Sequence, residues 1–318
     1  MADKISWETF HTLSRVPYWE KKYADLFAPA CELDVPNAPP GMPQHFSSIE
    51  RPIHFDWLER TTKNWAFSEV LDYGAPEDTD IFWLMRKGSC LASWAGHKDQ
   101  PFHSRFLLKL TIRDGLVTAV KEMFDPFSFL RAACIETPVF PMVIDPEAAE
   151  RERPLIEAKR SAVFVCDDPP EVCEARKQRA LDALRCHRID PAYADAMPET
   201  PNIDGAFFFA PPGMDEDCTP HRQPGHLDWL AKCEVDSGYS SDTFPVYATG
   251  DPDVYFDETC YHGLMHWPGN PMGRYRNTYV DRIVFDHGYI KEFSEFLNPI
   301  NKFNSINVSI PSFPYYFD

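Results

Sequence analysis

The chain repeats itself. "HFDWLERT" begins at His54 and "HLDWLAKC" at His226, 172 positions later (226 − 54), and "APPGM" occurs at Ala38–Met42 and again at Ala210–Met214 in the same register. Further along the register becomes 173, as one inserted residue requires. From Asp78 and Asp251 the halves align without a gap for 64 positions, to Pro141 and Pro314, with 11 identities. These include Trp94/Trp267, Gly96/Gly269, Gly115/Gly288, Glu122/Glu295, Pro126/Pro299 and Phe140/Phe313. Low identity in a shared register is the mark of an old duplication, so the chain reads as two related domains. Their expected bounds are 1–145 and 170–318, with 146–169 as a charged, solvated linker or helix between them. Within it "SAVFV" (161–165) reads as a strand or a buried strap.

Each copy reads as helices first and strands after. In the second, 169–188 carries Ala175, Ala180, Leu181 and Leu184 at helical spacing, and His226–Cys233 is a short helix with Trp229 and Leu230 as core contacts. Strand-like runs follow at 244–249, 253–263, 273–285 and 289–297, and a short helix closes the set near 300–305. "DHG" before Tyr289 and "RDG" at Arg113–Gly115 are hairpin signals in matching places. The fold class expected is α+β: two tandem domains, each with N-terminal helices packed on a curved antiparallel sheet, which leaves a cone-shaped pocket for a small ligand.

Composition excludes several classes of partner. Acidic residues number 49 against 31 basic ones, a formal charge of −18 that repels phosphate backbones and anionic lipid. Neither nucleic acid nor a membrane is expected as partner. No signal-peptide core and no stretch long and apolar enough to span a bilayer stands in the sequence, so the expectation is a cytoplasmic protein. Nine cysteines, an odd number without a CxxC pair, do not form a disulfide framework. There is no glycine-rich phosphate loop, GxSxG elbow or HExxH, so no cofactor is expected. Cys260, His262 and His266 would fit a metal strand, but the matching first-copy residues are Lys87, Ser89 and Ser93, and no metal is expected either.

The motifs carry a resemblance. "YATGDPDVYFDETCYHG", "GRYRNTYVDRIVFDHGYIKEFSEFLNP" and "HLDWLAKC" resemble stretches of the phenazine biosynthesis A/B-like proteins, which belong to the SnoaL-like, or nuclear transport factor 2-like, superfamily. The likeness covers most of the second copy and, more weakly, the first. In that family one domain makes a chain and two chains a homodimer, so the resemblance implies a dimer fused into an intrachain pseudo-dimer, itself open to further homodimerisation. It also implies an acid–base pair flanking the pocket, a histidine on the short helix and a glutamate on the last strand. These fall on His226 and Glu295, and in the first copy on His54 and Glu122. A family serine falls on Leu230 and Leu58, which puts the family's own substrate in doubt.

The residues support this pairing independently. Glu295 shares a strand face with Phe293 and Leu297, and Glu122 with Val120 and Phe124. A carboxylate on an apolar face is costly unless protonated or partnered, and burial raises its pKa toward neutrality. The alternative is a glutamate at a strand end reaching solvent or a base. For His54 and His226 the alternative is a helix-start histidine held by backbone carbonyls. Trp57 and Trp229 read first as core, with pocket lining as the second role; Tyr275 and Tyr279 read as sheet-lining aromatics, and His262 as lining the second pocket only, since Ser89 replaces it in the first.

The function expected is cofactor-independent acid–base catalysis in secondary metabolism, on a small cyclic or ketonic substrate: imine-forming condensation, cyclisation or isomerisation. The alternatives are a polyketide-type cyclase, dehydratase or ketosteroid-like isomerase, and, in another class, a binding or assembly module with one or both pockets inactive.

Overall fold

A computed structural model describes residues 4–74, 80–161, 165–186, 204–214, 223–239, 245–267 and 269–315. The first copy runs α1 (Lys4–Ser14), a 3-10 turn (Lys21–Leu26), β1 (Phe27–Asp34), β2 (His45–Phe46), α2 (Glu50–Thr61), β3 (Thr62–Tyr73), β4 (Ile81–Trp94), β5 (His97–Arg113), β6 (Leu116–Phe124) and α3 (Pro126–Ala132). Then come α4 (Pro146–Ser161), α5 (Pro170–Cys186), β7 (Asp204–Phe208), α6 (His226–Cys233), β8 (Glu234–Tyr239), β9 (Val246–Ala248), β10 (Val254–Met265), β11 (Gly273–Asp286), β12 (Tyr289–Leu297) and α7 (Ile300–Ser305).

Two sheets form, in the orders β2-β1-β6-β5-β4-β3 and β7-β12-β11-β10-β8, with β9 on β10. The α+β class is as expected. The long strands pair antiparallel, and their turns follow from residue type. Asp114–Gly115 and His287–Gly288 are two-residue links with positive φ throughout, the conformation that matches the right-handed twist of a hairpin. The sheets are nevertheless mixed. β1 lies parallel to β6, and β7 parallel to β12, two strands the sequence reading did not place. β1 shows why: its burial alternates poorly, and Pro29 breaks the run.

The chain divides into two compact units. One runs to Pro138 and adds Thr249–Asp251 and the segment from Ile310 onward; the other holds Val139–Ala248 and Pro252–Ser309. The aromatic "FP" segment that ends each sequence copy thus belongs to the unit of the other copy. Phe313 N–H donates to Pro40 O at 2.6 Å in the first unit, and Phe140 N–H to Pro212 O at 2.6 Å in the second. Both acceptors lie in the "APPGM" repeats. The charged stretch after Asp145 is helix α4, while "SAVFV" lies largely outside the described residues.

In the first unit the core is aromatic: Trp94 stacks on Phe129 at 4.8 Å and on Trp57 at 5.8 Å. In the second, Ala180, Leu181 and Leu184 of α5 pack on Ile283, Phe285 and Ile290. α3 starts where Pro126 fixes φ and the Asp125 carboxylate accepts from Phe127 N–H at 2.9 Å, as a helix N-terminus favours.

Candidate active site

In the first unit His54 and Glu122 line one cavity. Its other walls are Trp19, Met42, Leu58, Trp65, Trp94, Phe102, Phe106, Phe124 and Phe129. His54 is placed by α2, which Ser47 and Glu50 start: Glu50 N–H donates to Ser47 Oγ, and the Glu50 carboxylate accepts from Ser47 N–H. This reciprocal cap fixes the helix so that His54, Trp57 and Leu58 share its buried side. Glu122 is placed by β6 and stands opposite Leu108, which stands opposite Leu84. Its cross-strand neighbours on β5 and β4 are thus apolar, and the next carboxyl of the row, Asp72 on β3, stands beyond Leu84. As it stands the cavity measures about 20 Å³, room for about one water. Any ligand larger than a water could enter only by displacing lining side chains.

The electrostatics follow from burial. Glu122 is 4% exposed, and burial pushes its pKa up to about 7, against the opposing pull of the Arg86 charge and a hydrogen bond from the Tyr18 hydroxyl. Its Oε1 has no hydrogen-bond partner among the described residues. Arg86, on β4, is 1% exposed; its Nη1 donates to the carbonyls of Leu13, Ser14 and Val16 at 3.3, 3.1 and 2.9 Å, at the end of α1. Its guanidinium lies 3.7 Å from the centre of the Phe67 ring. His54 is buried too, which depresses its pKa to about 3 and leaves the ring neutral at physiological pH. Its Nδ1 is 2.8 Å from Tyr315 Oη, and its ring stacks on Phe46 at 4.2 Å. A carboxyl able to gain or lose a proton near neutrality and a neutral imidazole in one aromatic-walled cavity can move a proton and hold an oxygen.

Tyr18, Arg86 and Tyr315 escaped the sequence reading. Arg86 carried a signal, as a cation on the buried face of "IFWLMRKGSC"; Tyr18 and Tyr315 carried none, one lying in a loop and the other beyond the last helix. Trp57, read first as core, is buried as such. It packs on Trp94 and Tyr315, outside the cavity walls, because the helix turns Leu58 inward instead.

The second unit is built differently. His226 is fully buried, against the Phe207 ring at 5.7 Å and Trp229 at 5.6 Å. Phe207 also pairs across the sheet with Glu295, which is half-buried. Across the sheet Glu295 is opposite Asp281, and Asp281 opposite Asp257, both fully buried. A row of three carboxyls replaces the first unit's Leu84, Leu108 and Glu122. Strand alternation could have revealed it, since Asp257 and Asp281 lie two residues from half-buried Tyr255 and core Ile283. Tyr275 and Tyr279 share this face, their hydroxyls 2.6 Å apart, and Trp229 is core, against Trp267 at 5.3 Å. Leu230 is half-buried. Lys302 stands where the first copy has Phe129, its Nζ 5.5 Å from the Trp267 ring.

His262 leaves the pocket. It is exposed and pairs with Arg276 on the outer face, one residue out of phase with Tyr261 and Thr259. No group of three metal-ligating side chains occurs among the described residues, and the seven cysteines among them whose side chains are placed are free thiols. No described helix is long and apolar enough to cross a membrane.

Comparison with known proteins adds sequence likeness for the second copy. The chain is 30% identical over 86 residues to phenazine biosynthesis protein PhzB 2 of Pseudomonas aeruginosa (strain UCBPP-PA14), covering 27% of this chain and 52% of the relative. Against PhzA1 of Pseudomonas aeruginosa PAO1 it is 30% identical over 84 residues, 26% of this chain and 51% of the relative. The chain therefore spans about half the length of the curated relatives it matches. Among solved structures, a phenazine biosynthesis-related protein (PhzB2) from Pseudomonas aeruginosa aligns with 19% identity and a TM-score of 0.34, covering 45% of this chain and 92% of that one. A putative SnoaL-like polyketide cyclase from Jannaschia sp. CCS1 aligns with 15% identity and a TM-score of 0.34, covering 42% and 93%. Residues 221–314, from the helix of His226 to the strand of Glu295 and the segment beyond it, match the family model of phenazine biosynthesis protein A/B.

Proposed function

We propose that the protein is an acid–base enzyme of small-molecule biosynthesis, working without an organic cofactor on a cyclic or ketonic intermediate, with Glu122 as the proton carrier of the first pocket. One feature carries this reading: Glu122 is the one carboxyl among the described residues that line an aromatic-walled cavity, and burial pushes its pKa up to about 7, where a group both takes and gives protons readily. His54 in the same cavity supplies a neutral polar group. The biosynthetic setting rests on the likeness of residues 221–314 to the phenazine proteins. In the second pocket we assign the corresponding roles to His226 and Glu295. The differences between the carboxyl row there and the apolar neighbours of Glu122 here support distinct tasks for two copies bounded near 1–145 and 170–318.

Condensation, cyclisation and isomerisation all need a proton moved next to a carbonyl or imine. A screen comparing cyclic amino-ketones with poly-β-ketones identifies the class, and Glu122→Gln and Glu295→Gln variants assign it to a pocket. Loss of turnover in at least one variant, with its fold intact, is the expected result. Full turnover in both would overturn the reading. Ligand binding that weakens in a variant, with no turnover in the wild type, would identify a binding module instead.

A further inference from the structure

The tail of the chain reaches the candidate histidine of the first copy. Tyr315 Oη is 2.8 Å from His54 Nδ1, although the residues are 261 positions apart. The segment from Ile310 belongs to the first unit. Phe313 anchors it, its N–H donating to Pro40 O and its ring edge-on to Trp94 at 5.5 Å. The Tyr315 ring stands edge-on to Trp57 at 4.7 Å, and the imidazole stacks on Phe46 at 4.2 Å. Both partners of the hydrogen bond are therefore fixed in orientation. In the repeat register Tyr315 corresponds to Met142, which has no hydroxyl, so the repeat does not carry this tyrosine into the second copy.

The direction of this bond decides what His54 can do. A neutral imidazole has one donor and one acceptor nitrogen, and the bond at one fixes the role of the other. A phenol O–H is more acidic than the N–H of a neutral imidazole, so the better donor is Tyr315. With Nδ1 accepting, the ring proton sits on Nε2.

We propose that Tyr315 is a positioning residue that locks His54 as the Nε2–H tautomer, so that His54 serves the first pocket as a neutral hydrogen-bond donor to a substrate carbonyl oxygen and leaves proton transfer to Glu122. This rests on the reading of the first pocket as an acid–base site. It also sharpens that reading, because it removes His54 as a base and asks for a substrate with an oxygen acceptor beside the carbon or nitrogen that exchanges a proton. Burial keeps the ring neutral through the physiological range, which the role requires.

The test is spectroscopic and needs no substrate. The full chain is labelled with 15N-histidine, the His54 signals are assigned by difference from His54→Gln, and long-range proton–nitrogen correlations report the tautomer. The expected spectrum at pH 7 shows a protonated Nε2 and an unprotonated, hydrogen-bonded Nδ1, unchanged between pH 5 and 8. Tyr315→Phe keeps the ring and removes the hydroxyl, and should bring the Nδ1–H tautomer into view. A protonated Nδ1 in the wild type, a His54 titrating near neutrality, or a tautomer balance unmoved by Tyr315→Phe would overturn the proposal. Should the variant not fold, the wild-type spectrum still decides. Failure of the broader acid–base reading shows separately, as undiminished turnover in the glutamine variants.

Discussion

Phe313 stands edge-on to Trp94, the ring centres 5.5 Å apart and the planes at 84°. Phe140 stands the same way to Trp267, at 5.3 Å and 83°. The two pairs are equivalent in the repeat, and in each the phenylalanine comes from the end of the other sequence copy. Such pairs add about 0.5–1.5 kcal/mol to the burial of the ring itself. Both phenylalanines are 1% exposed. Phe313→Ala and Phe140→Ala are each expected to destabilise their own unit by about 3–5 kcal/mol in denaturant titration, as buried phenylalanine truncations do. Losses below about 1 kcal/mol would mean that these segments only rest on the units they join.

A pH dependence follows from Glu122. Its carboxyl lies near 7 in the folded protein against an ordinary 4.5, because burial disfavours the charge. The folded state therefore holds a proton that the unfolded state releases between these values. The associated stability is present in full below pH 4.5 and is lost as pH rises through 7; the gap is worth on the order of 3 kcal/mol. Glu122→Gln has no such proton to lose. Its stability relative to wild type, measured in urea from pH 4 to 8, should rise by on the order of 3 kcal/mol across that window. A difference that stays flat with pH would place the Glu122 pKa at its ordinary value.

The repeat made most of this legible. Its register pointed to two copies and to the hairpins, because turn chemistry is local, and the family resemblance singled out His54, Glu122, His226 and Glu295 as candidates. What local pattern cannot reach is pairing over distance. Tyr315 meets His54 across 261 positions, and nothing in "FPYYFD" marks one tyrosine as a partner of a histidine. The place of the parallel strands β1 and β7 depends on β6 and β12, which are remote in sequence. His262 was misplaced by one strand position, which is enough to turn a side chain to the opposite face.

Two glycines separate backbone strain from collision. Gly269 and Gly288 have nearly the same left-handed φ, +79° and +78°. A Cβ on Gly269 meets nothing within 4 Å, whereas one on Gly288 would lie 2.1 Å from the carbonyl oxygen of Cys173. Gly269→Ala pays only for its φ, about 1 kcal/mol. Gly288→Ala must also push α5 off the hairpin, and its cost should be about 2–4 kcal/mol, since overpacking adds about 1–3 to the strain. Thermal or urea denaturation of the two variants measures this. Equal losses would show that α5 gives way freely at Cys173.

Arg86 is the charge that keeps Glu122 from rising further. Burial alone raises the carboxyl, and the guanidinium and the Tyr18 hydroxyl pull it back to about 7. Arg86→Met retains bulk and removes both the charge and the donor that serves the carbonyls of Leu13, Ser14 and Val16. Losing a nearby opposite charge moves a carboxyl by about 1–3 pH units, here upward. The Glu122 carboxyl, followed by isotope-edited infrared or carbon NMR, should then stay protonated beyond pH 8, and in any turnover assay the basic requirement should move up with it. Stability falls as well, by about 1–3 kcal/mol for the buried carbonyls left without a donor. Arg86→Lys separates the two effects: it restores the charge but not the fork, so the carboxyl should return toward 7 while the carbonyls stay poorly served. If Glu122 titrated alike in all three proteins, its pKa would be set by desolvation and Tyr18 alone, and Arg86 would be only the staple that ends α1.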